Sequence, residues 1–336
     1  MTQPGALTGE VQTAAVWDFD PATYQPHVLH QDGAAWVEKN CYVDLWIELL
    51  HAAGLEPEAI LAFTVPLDFD GEQWTFYKPP HVDLLTLYGV QVQEMSVFKP
   101  LLEHALFHAS HGRLLLTEAD AFWLPDTKAT DYRQKHTKTT IAIDAIHLAD
   151  RRMRYFHNAG YYELEGEDFV QIFRLGFPPD PAHLPLFAEL ASFSRVKKLS
   201  ALELAQASKK QLAIWLEQRP LTNPLLGFSH NFIEQIPRLK EQGLPAYHAF
   251  AFATVRQCGS GFELAAAYLR WLEARLPHGY AEAAEHFEAI SASCKALILK
   301  GARAMVSSKP ADFKPIFDEM AEHWQAAMTS LEARQA

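Results

Sequence analysis

The chain is poor in cysteine, poor in cationic charge and without a long apolar run. Three cysteines (Cys41, Cys258 and Cys294) scattered over 336 residues make no disulfide framework, so a reducing compartment is expected, with the cytoplasm the simplest. Its 29 Lys and Arg against 41 Asp and Glu leave a formal charge of −12, which disfavours nucleic acid and anionic membrane surfaces as partners. No stretch reaches 18 consecutive apolar residues, and the N-terminus has no cationic segment followed by an apolar one. Neither membrane insertion nor export is therefore expected. Internal repeats and low-complexity tracts are missing too. What is present is apolar content: at 49% hydrophobic the chain can build two cores.

Residues 1 to about 36 mix Gly, Pro and polar residues and read as an extended lead-in. In "EKNCYVDLWIELLHAAG" (38–54), Asn40 is a good N-cap and Gly54 a stop. Cys41, Leu45, Leu49 and Ala52 fall on one helical face, with Asp44, Glu48 and His51 on a polar one. "VDLLTLYGVQVQEM" predicts a short helix, a turn at Gly89 and a strand, and "FKPLLEHALFHASHG" a helix closed by Gly112. Strands are expected over 113–124, 136–148 and 152–164, the last two as a hairpin across "ADRR". "GFPPDPAHLP" (176–185), with four prolines, reads as a linker, and the remainder as almost wholly helical. The expected class is α+β, with an α+β domain over 1–178 and a helical domain over 179–336.

Cys41 poses the chemical question. A cysteine on an apolar stripe is commonly a core residue. At a first helical turn, however, the helix dipole favours a thiolate and unpaired N–H groups can hold an oxyanion. A nucleophilic thiol needs a base and the base an orienting group. His136, at a strand start after the polar loop "PDTKATDYRQK", is the candidate base, against the alternative of a surface histidine. Asn158 in "YFHNAGYY" is the candidate third member, although a turn near Asp150 sets it opposite Ile143 unless a bulge intervenes; Asp144 and Glu163 stand in reserve. The order Cys, His, Asn is that of papain-like enzymes.

Other clusters read more plainly. Glu118 and Asp120 share a strand face and suit an ammonium group, or else a solvated or Arg-paired strand end. His104, His108 and His111 line one helical face with metal-compatible spacing, but histidines near a helix C-terminus complement the dipole without a metal, and no metal is expected. Arg195, Lys197, Lys198, Lys209 and Lys210 form a basic cluster, either a docking patch for an acidic partner or a solvated face. Gly259 and Gly261 interrupt a helical pattern, suggesting a bend or a helix start, and Cys258 and Cys294 read as core.

"NCYVDLWIELLHAAG", "GRLLLTEADAFWLPD", the His-led strand and the helical second half together resemble the butirosin biosynthesis protein H family at a distance. Over nearly its whole length the chain more closely resembles an uncharacterised family often encoded beside amino acid:carrier protein ligases. The resemblance implies a papain-like acyltransferase domain with Cys41 as nucleophile and His136 as base. It implies no bound cofactor; the substrate is the phosphopantetheine thioester of an acyl or aminoacyl carrier protein, and a small amine or thiol is the acceptor. The chain departs from the papain-like pattern at Ala35, where a Gln usually supplies an oxyanion donor, leaving Asn40 or Gln31 as substitutes. Rival readings are a papain-like peptidase, amidase or thioesterase, a non-catalytic carrier-binding protein, and a metal hydrolase built on the His104 helix.

Overall fold

A computed structural model describes residues 13–31, 33–178 and 185–334. Contacts divide the chain into two compact units, each gathered from separated stretches. The sheet unit comprises the described residues of Met1–Val28, Asp44–Leu55 and Leu84–Lys197; the helical unit comprises those of Leu29–Val43, Glu56–Asp83 and Lys198–Ala336. The boundary therefore differs from the one expected at 178: the chain returns to the sheet after the proline-rich stretch. Of that stretch, 179–184 lies outside the described residues, as does 1–12 of the expected lead-in.

In chain order the sheet unit contains β1 (Thr13–Ala15), most of α1 (Cys41–Ala52), the end of α2 (His81–Tyr88), β2 (Gln91–Glu94), α3 (Leu101–Ser110), β3 (Arg113–Asp120), β4 (Lys138–His147), β5 (Arg152–His157), β6 (Gly160–Glu165), α4 (Glu167–Ile172) and β7 (Ala188–Ser192). All seven strands pair antiparallel in the order β2-β7-β3-β4-β5-β6, with β1 on the far end of β4. The class is α+β. β7 lies between the edge strand β2 and β3, and its short run "AELAS" carries no β-branched residue to announce a strand in isolation.

Side chains alternate across the sheet as the strand period demands. Leu115, Ala119, Ile141, Ile143 and Tyr155 join α3 residues Leu102, Ala105 and Leu106 and α4 residues Phe169 and Ile172 in one core. On the opposite face, Phe156 packs its ring against Trp17, Phe19 and Tyr24, at 5.7, 6.4 and 5.7 Å between centroids. Tyr24 ties this layer to α1 by donating its hydroxyl to Glu48 at 2.6 Å. A bulge at Asp144 keeps Ile143 and Ile146 in the same core while turning the Asp144 carboxylate to the other face. There it accepts from the Trp17 and Asp18 N–H groups and the Tyr161 hydroxyl. Burial nevertheless raises its pKa above the usual carboxylate range.

The helical unit holds a buried 3₁₀ helix (Pro57–Thr64) and α5 (Ala201–Glu217), α6 (Pro224–Gln242), α7 (Leu244–Ala253), α8 (Val255–Arg275), α9 (Tyr280–Val306) and α10 (Lys314–Glu332). α5 opens with a capping box between Ser200 and Glu203, readable in "SALE". The helix break before α8 falls at Thr254, not at the glycines, which lie inside α8. They are there for close packing. A Cβ on Gly259 would stand 2.5 Å from Trp36 Cζ2 and 2.8 Å from Cys294 Cβ, and one on Gly261 would meet Leu67. Cys258 and Cys294 are both fully buried in this core.

Gly259→Ala sets two effects against each other. Helix propensity favours Ala by about 1 kcal/mol, whereas forcing a methyl into a filled core costs about 1–3 kcal/mol. A net destabilisation of about 1 kcal/mol is expected in urea unfolding. A variant as stable as wild type would mean that Trp36 and Cys294 yield without cost.

Candidate active site

His136 sits in the segment between β3 and β4 and is held by the residue that ends β3. Asp120 Oδ1 accepts from the N–H groups of Phe122 (3.1 Å) and Thr137 (3.3 Å), while Oδ2 lies 2.6 Å from His136 Nδ1. The Phe122 ring stacks on the imidazole at 4.4 Å and 14°. A carboxylate on Nδ1 requires the proton on that nitrogen in the neutral ring, so the lone pair stands on Nε2, as a base requires. Nε2 has no partner among the described residues, and the His136 side chain is 70% exposed.

The rest of the segment is tied down at several points. The Thr137 hydroxyl donates to Asp131 (2.6 Å), the Tyr132 hydroxyl to Asp168 (2.9 Å), and the Arg133 guanidinium to Asp168 (2.5 Å). Asp126 is enclosed: it accepts from the Tyr155 hydroxyl and pairs with His157 Nδ1, each at 2.5 Å, while His157 Nε2 meets the Thr139 hydroxyl at 2.8 Å. His157 and Asp126 have almost no exposed side-chain surface. Both ring nitrogens of a buried imidazole are thus satisfied.

Asn158 does not orient His136. The expected strand 152–164 is two strands, β5 and β6, closed by the pair His157 and Gly160, with Asn158 in the turn at φ +44°. Asn tolerates that left-handed backbone better than most residues. Register excludes it as well: His157 pairs with Ile141, five residues beyond His136. At strand spacing that is on the order of 16 Å. The orienting carboxylate is Asp120, which the sequence offers either to an ammonium group or as a solvated or Arg-paired strand end. Glu118 is also engaged, accepting from Lys138 Nζ at 2.8 Å. Of the reserves, Asp144 serves the bulge described above, and Glu163 pairs with Arg154 at 2.7 Å.

Cys41 belongs to the helical unit, His136 and Asp120 to the sheet unit. Cys41 is the first residue of α1, and along 41–50 it alone is not buried, since the expected polar face at Asp44 and Glu48 is enclosed as well. Asn40 Oδ1 accepts from the N–H groups of Tyr42 (3.1 Å) and Val43 (2.9 Å), and its Nδ2 donates to Tyr77 O (3.0 Å). Asn40 is therefore a buried helix cap rather than an exposed oxyanion donor. The donor that remains at the helix start is the backbone N–H of Cys41, which has no partner among the described residues. Gln31 is exposed, and its carbonyl accepts from Ala34 N–H at 3.2 Å.

The stretch before Cys41 is anchored by a group that sequence reasoning missed. Glu263 of α8 accepts from the N–H groups of Ala35 (2.5 Å) and Trp36 (3.1 Å) and lies 4.0 Å from the buried Lys39 ammonium. Trp36 Nε1 donates to Ser291 at 2.9 Å. Burial pushes the Glu263 carboxyl upward, and Lys39 opposes that shift. Ala35 thus stands where a papain-like Gln is expected, with its own N–H turned to Glu263. Only the long-range fold could have revealed this pairing.

Among the described residues no group of three or more His, Cys, Asp or Glu side chains is placed to hold a metal ion. On α3, His104 accepts from Phe98 N–H at 3.4 Å, His108 is pushed down to about 4 by burial and Arg113, and His111 bonds the Phe107 carbonyl. No described helix is long and apolar enough to cross a membrane. Of the basic cluster, Arg195 and Lys197 fall in the sheet unit and Lys198, Lys209 and Lys210 in the helical unit.

Two family domains match the chain: the DUF1839 N-terminal domain over residues 25–193 and the DUF1839 C-terminal domain over 201–333. A search of curated proteins finds no match.

Proposed function

We propose a cysteine-dependent acyl transfer for this chain, which belongs to the uncharacterised DUF1839 family. The donor in this reading is the phosphopantetheine thioester of an acyl or aminoacyl carrier protein, and the acceptor a small amine or thiol. His136 takes the Cys41 proton on Nε2, and the thiolate attacks the thioester carbonyl carbon while the Cys41 N–H meets the developing oxyanion. Collapse breaks the carbon–sulfur bond to pantetheine, whose thiol leaves with the proton from His136. An amine then attacks the Cys41 thioester and passes a proton to His136. The amide departs, and the proton returns to the Cys41 sulfur.

The observation that carries this reading is the Asp120–His136 pair, a carboxylate 2.6 Å from Nδ1 beside an unpartnered Nε2. Support also comes from α1, which begins at the thiol and whose residues 44–52 belong to the sheet unit, where His136 sits in the segment between β3 and β4. A helix led by cysteine and a histidine held at the end of a sheet strand resemble a papain-like domain, and the papain-like assignment is part of the proposal.

Asp120→Asn tests it. An amide in place of the carboxylate no longer enforces the Nδ1–H tautomer, and a loss of about 10²–10⁴-fold in the acylation rate is expected, with KM for an acyl-pantetheine thioester little changed. An unaltered rate would remove His136 from the chemistry.

The exposed imidazole favours one second reading, hydrolysis, because water can reach a base that is 70% exposed. Product analysis separates the two: free acid alone means hydrolase, and an acceptor adduct means transferase.

A further inference from the structure

A second site lies in the sheet unit, and Cys41, His136 and Asp120 are not among the residues that line it. Between the start of α3 and the end of α4 there is a cavity of about 600 Å³, a volume usual for small-molecule sites. Its apolar lining includes Leu101 and the buried Ile172, together with Phe98, 82% exposed, and Phe177, 43% exposed. Large apolar side chains left this open around a concave surface suit an apolar ligand.

The same cavity is lined by two cations, Lys99 and Arg174. Among the described residues neither has a carboxylate partner, although the chain carries 41 Asp and Glu against 29 Lys and Arg. Each is instead set against aromatic rings: Lys99 Nζ is 5.9 Å from the Phe98 centroid and 5.7 Å from that of Phe107, and Arg174 Cζ is 5.1 Å from that of Phe177. α3 begins beside them with Pro100 in the N-cap position and no side-chain cap, which adds the positive end of a ten-residue helix.

We infer that this cavity binds a small amphiphilic carboxylate, its apolar body against Leu101, Ile172 and the exposed phenylalanines and its anionic head at Lys99 and Arg174. An ammonium ligand is disfavoured by both cations, and an uncharged one leaves them unused. A planar guanidinium and a carboxylate also match in shape, allowing two parallel hydrogen bonds. This inference does not depend on the acyl-transfer reading, and its test involves neither Cys41 nor His136.

The experiment is calorimetric titration of the full chain with octanoate and, separately, with octanol and octyl phosphate. Octanoate is expected to bind with Kd on the order of 0.1 mM, an ordinary affinity for a ligand of about ten heavy atoms. Octanol should bind at least about tenfold more weakly, for want of a charge to engage the two cations. Lys99→Gln and Arg174→Gln should each weaken octanoate by about five- to tenfold, as loss of one charge-assisted bond implies, and leave octanol unchanged. Arg174 is exposed and Lys99 half-buried, and neither belongs to the core, so circular dichroism should show the fold intact. No octanoate binding, equal binding of octanol, tighter binding of octyl phosphate, or octanoate binding that survives both substitutions would each overturn the assignment.

Discussion

Cys41→Ser is expected to gain no mass when incubated with an aminoacyl-pantetheine thioester, whereas the wild-type chain gains one aminoacyl group, located on Cys41. Serine is nearly isosteric, but its hydroxyl is a far weaker nucleophile at neutral pH, and transfer should fall by about 10³-fold or more. Stability should not follow. Cys41 is the one residue of 41–50 that is not buried, and replacements outside the core usually stay within about 0.5 kcal/mol. The combination discriminates: a core cysteine would change the unfolding midpoint and leave no adduct to lose. Intact-mass spectrometry with peptide mapping, beside urea unfolding of the same two proteins, reads both quantities. Retention of the adduct in Cys41→Ser would end the proposal, because another residue would then be the nucleophile.

Asp126→Ala should have the larger effect on stability. It strips a buried imidazole and a buried phenol of their acceptor together, since His157 Nδ1 and the Tyr155 hydroxyl both meet Asp126. Leaving a buried donor unsatisfied costs about 1–3 kcal/mol, and here two donors lose their acceptor at once. A loss of about 3 kcal/mol is therefore expected, a sizeable part of the 5–15 kcal/mol typical of a folded domain. Asp126 lies in the segment that ends in His136, so the same variant should also slow acylation by loosening the Asp120–His136 geometry. Asp126→Asn keeps one acceptor oxygen and should fall between wild type and Ala on both measures. An unfolding midpoint equal to wild type in Asp126→Ala would show that Thr139 and solvent suffice for His157.

The helix-forming stretches were largely legible because their signals are local. The Asn40 cap, the Gly54 stop, the turn at Gly89 and the close at Gly112 each act within a few residues, and α1, α2 and α3 fall where those signals put them. The capping box at Ser200 is of the same kind. Strands fared less evenly. β3 and β4 carry enough β-branched and apolar residues to be seen, whereas β7 gains its identity only by lying between β2 and β3. The turn at Asn158 was masked by the aromatic run on either side of it, which reads as one strand until pairing divides it.

The candidate site divides the same way. Sequence by itself determined that Cys41 opens a capped helix, that a strand follows the loop holding His136 (expected from His136 itself, observed from Lys138), that the chain is α+β with a helical second half, and that its charge is acidic. Each depends on the order of residues along a short stretch or on a sum over all of them. Tertiary structure alone decided that Asp120 rather than Asn158 holds His136, because partners across a sheet follow from register, and a register is a relation between distant segments. It alone set Glu263 on the N–H groups of Ala35 and Trp36, some 228 residues away along the chain. It also closed the polar face of α1 around Glu48, because whether a carboxylate meets water or a tyrosine depends on what the rest of the chain brings to it.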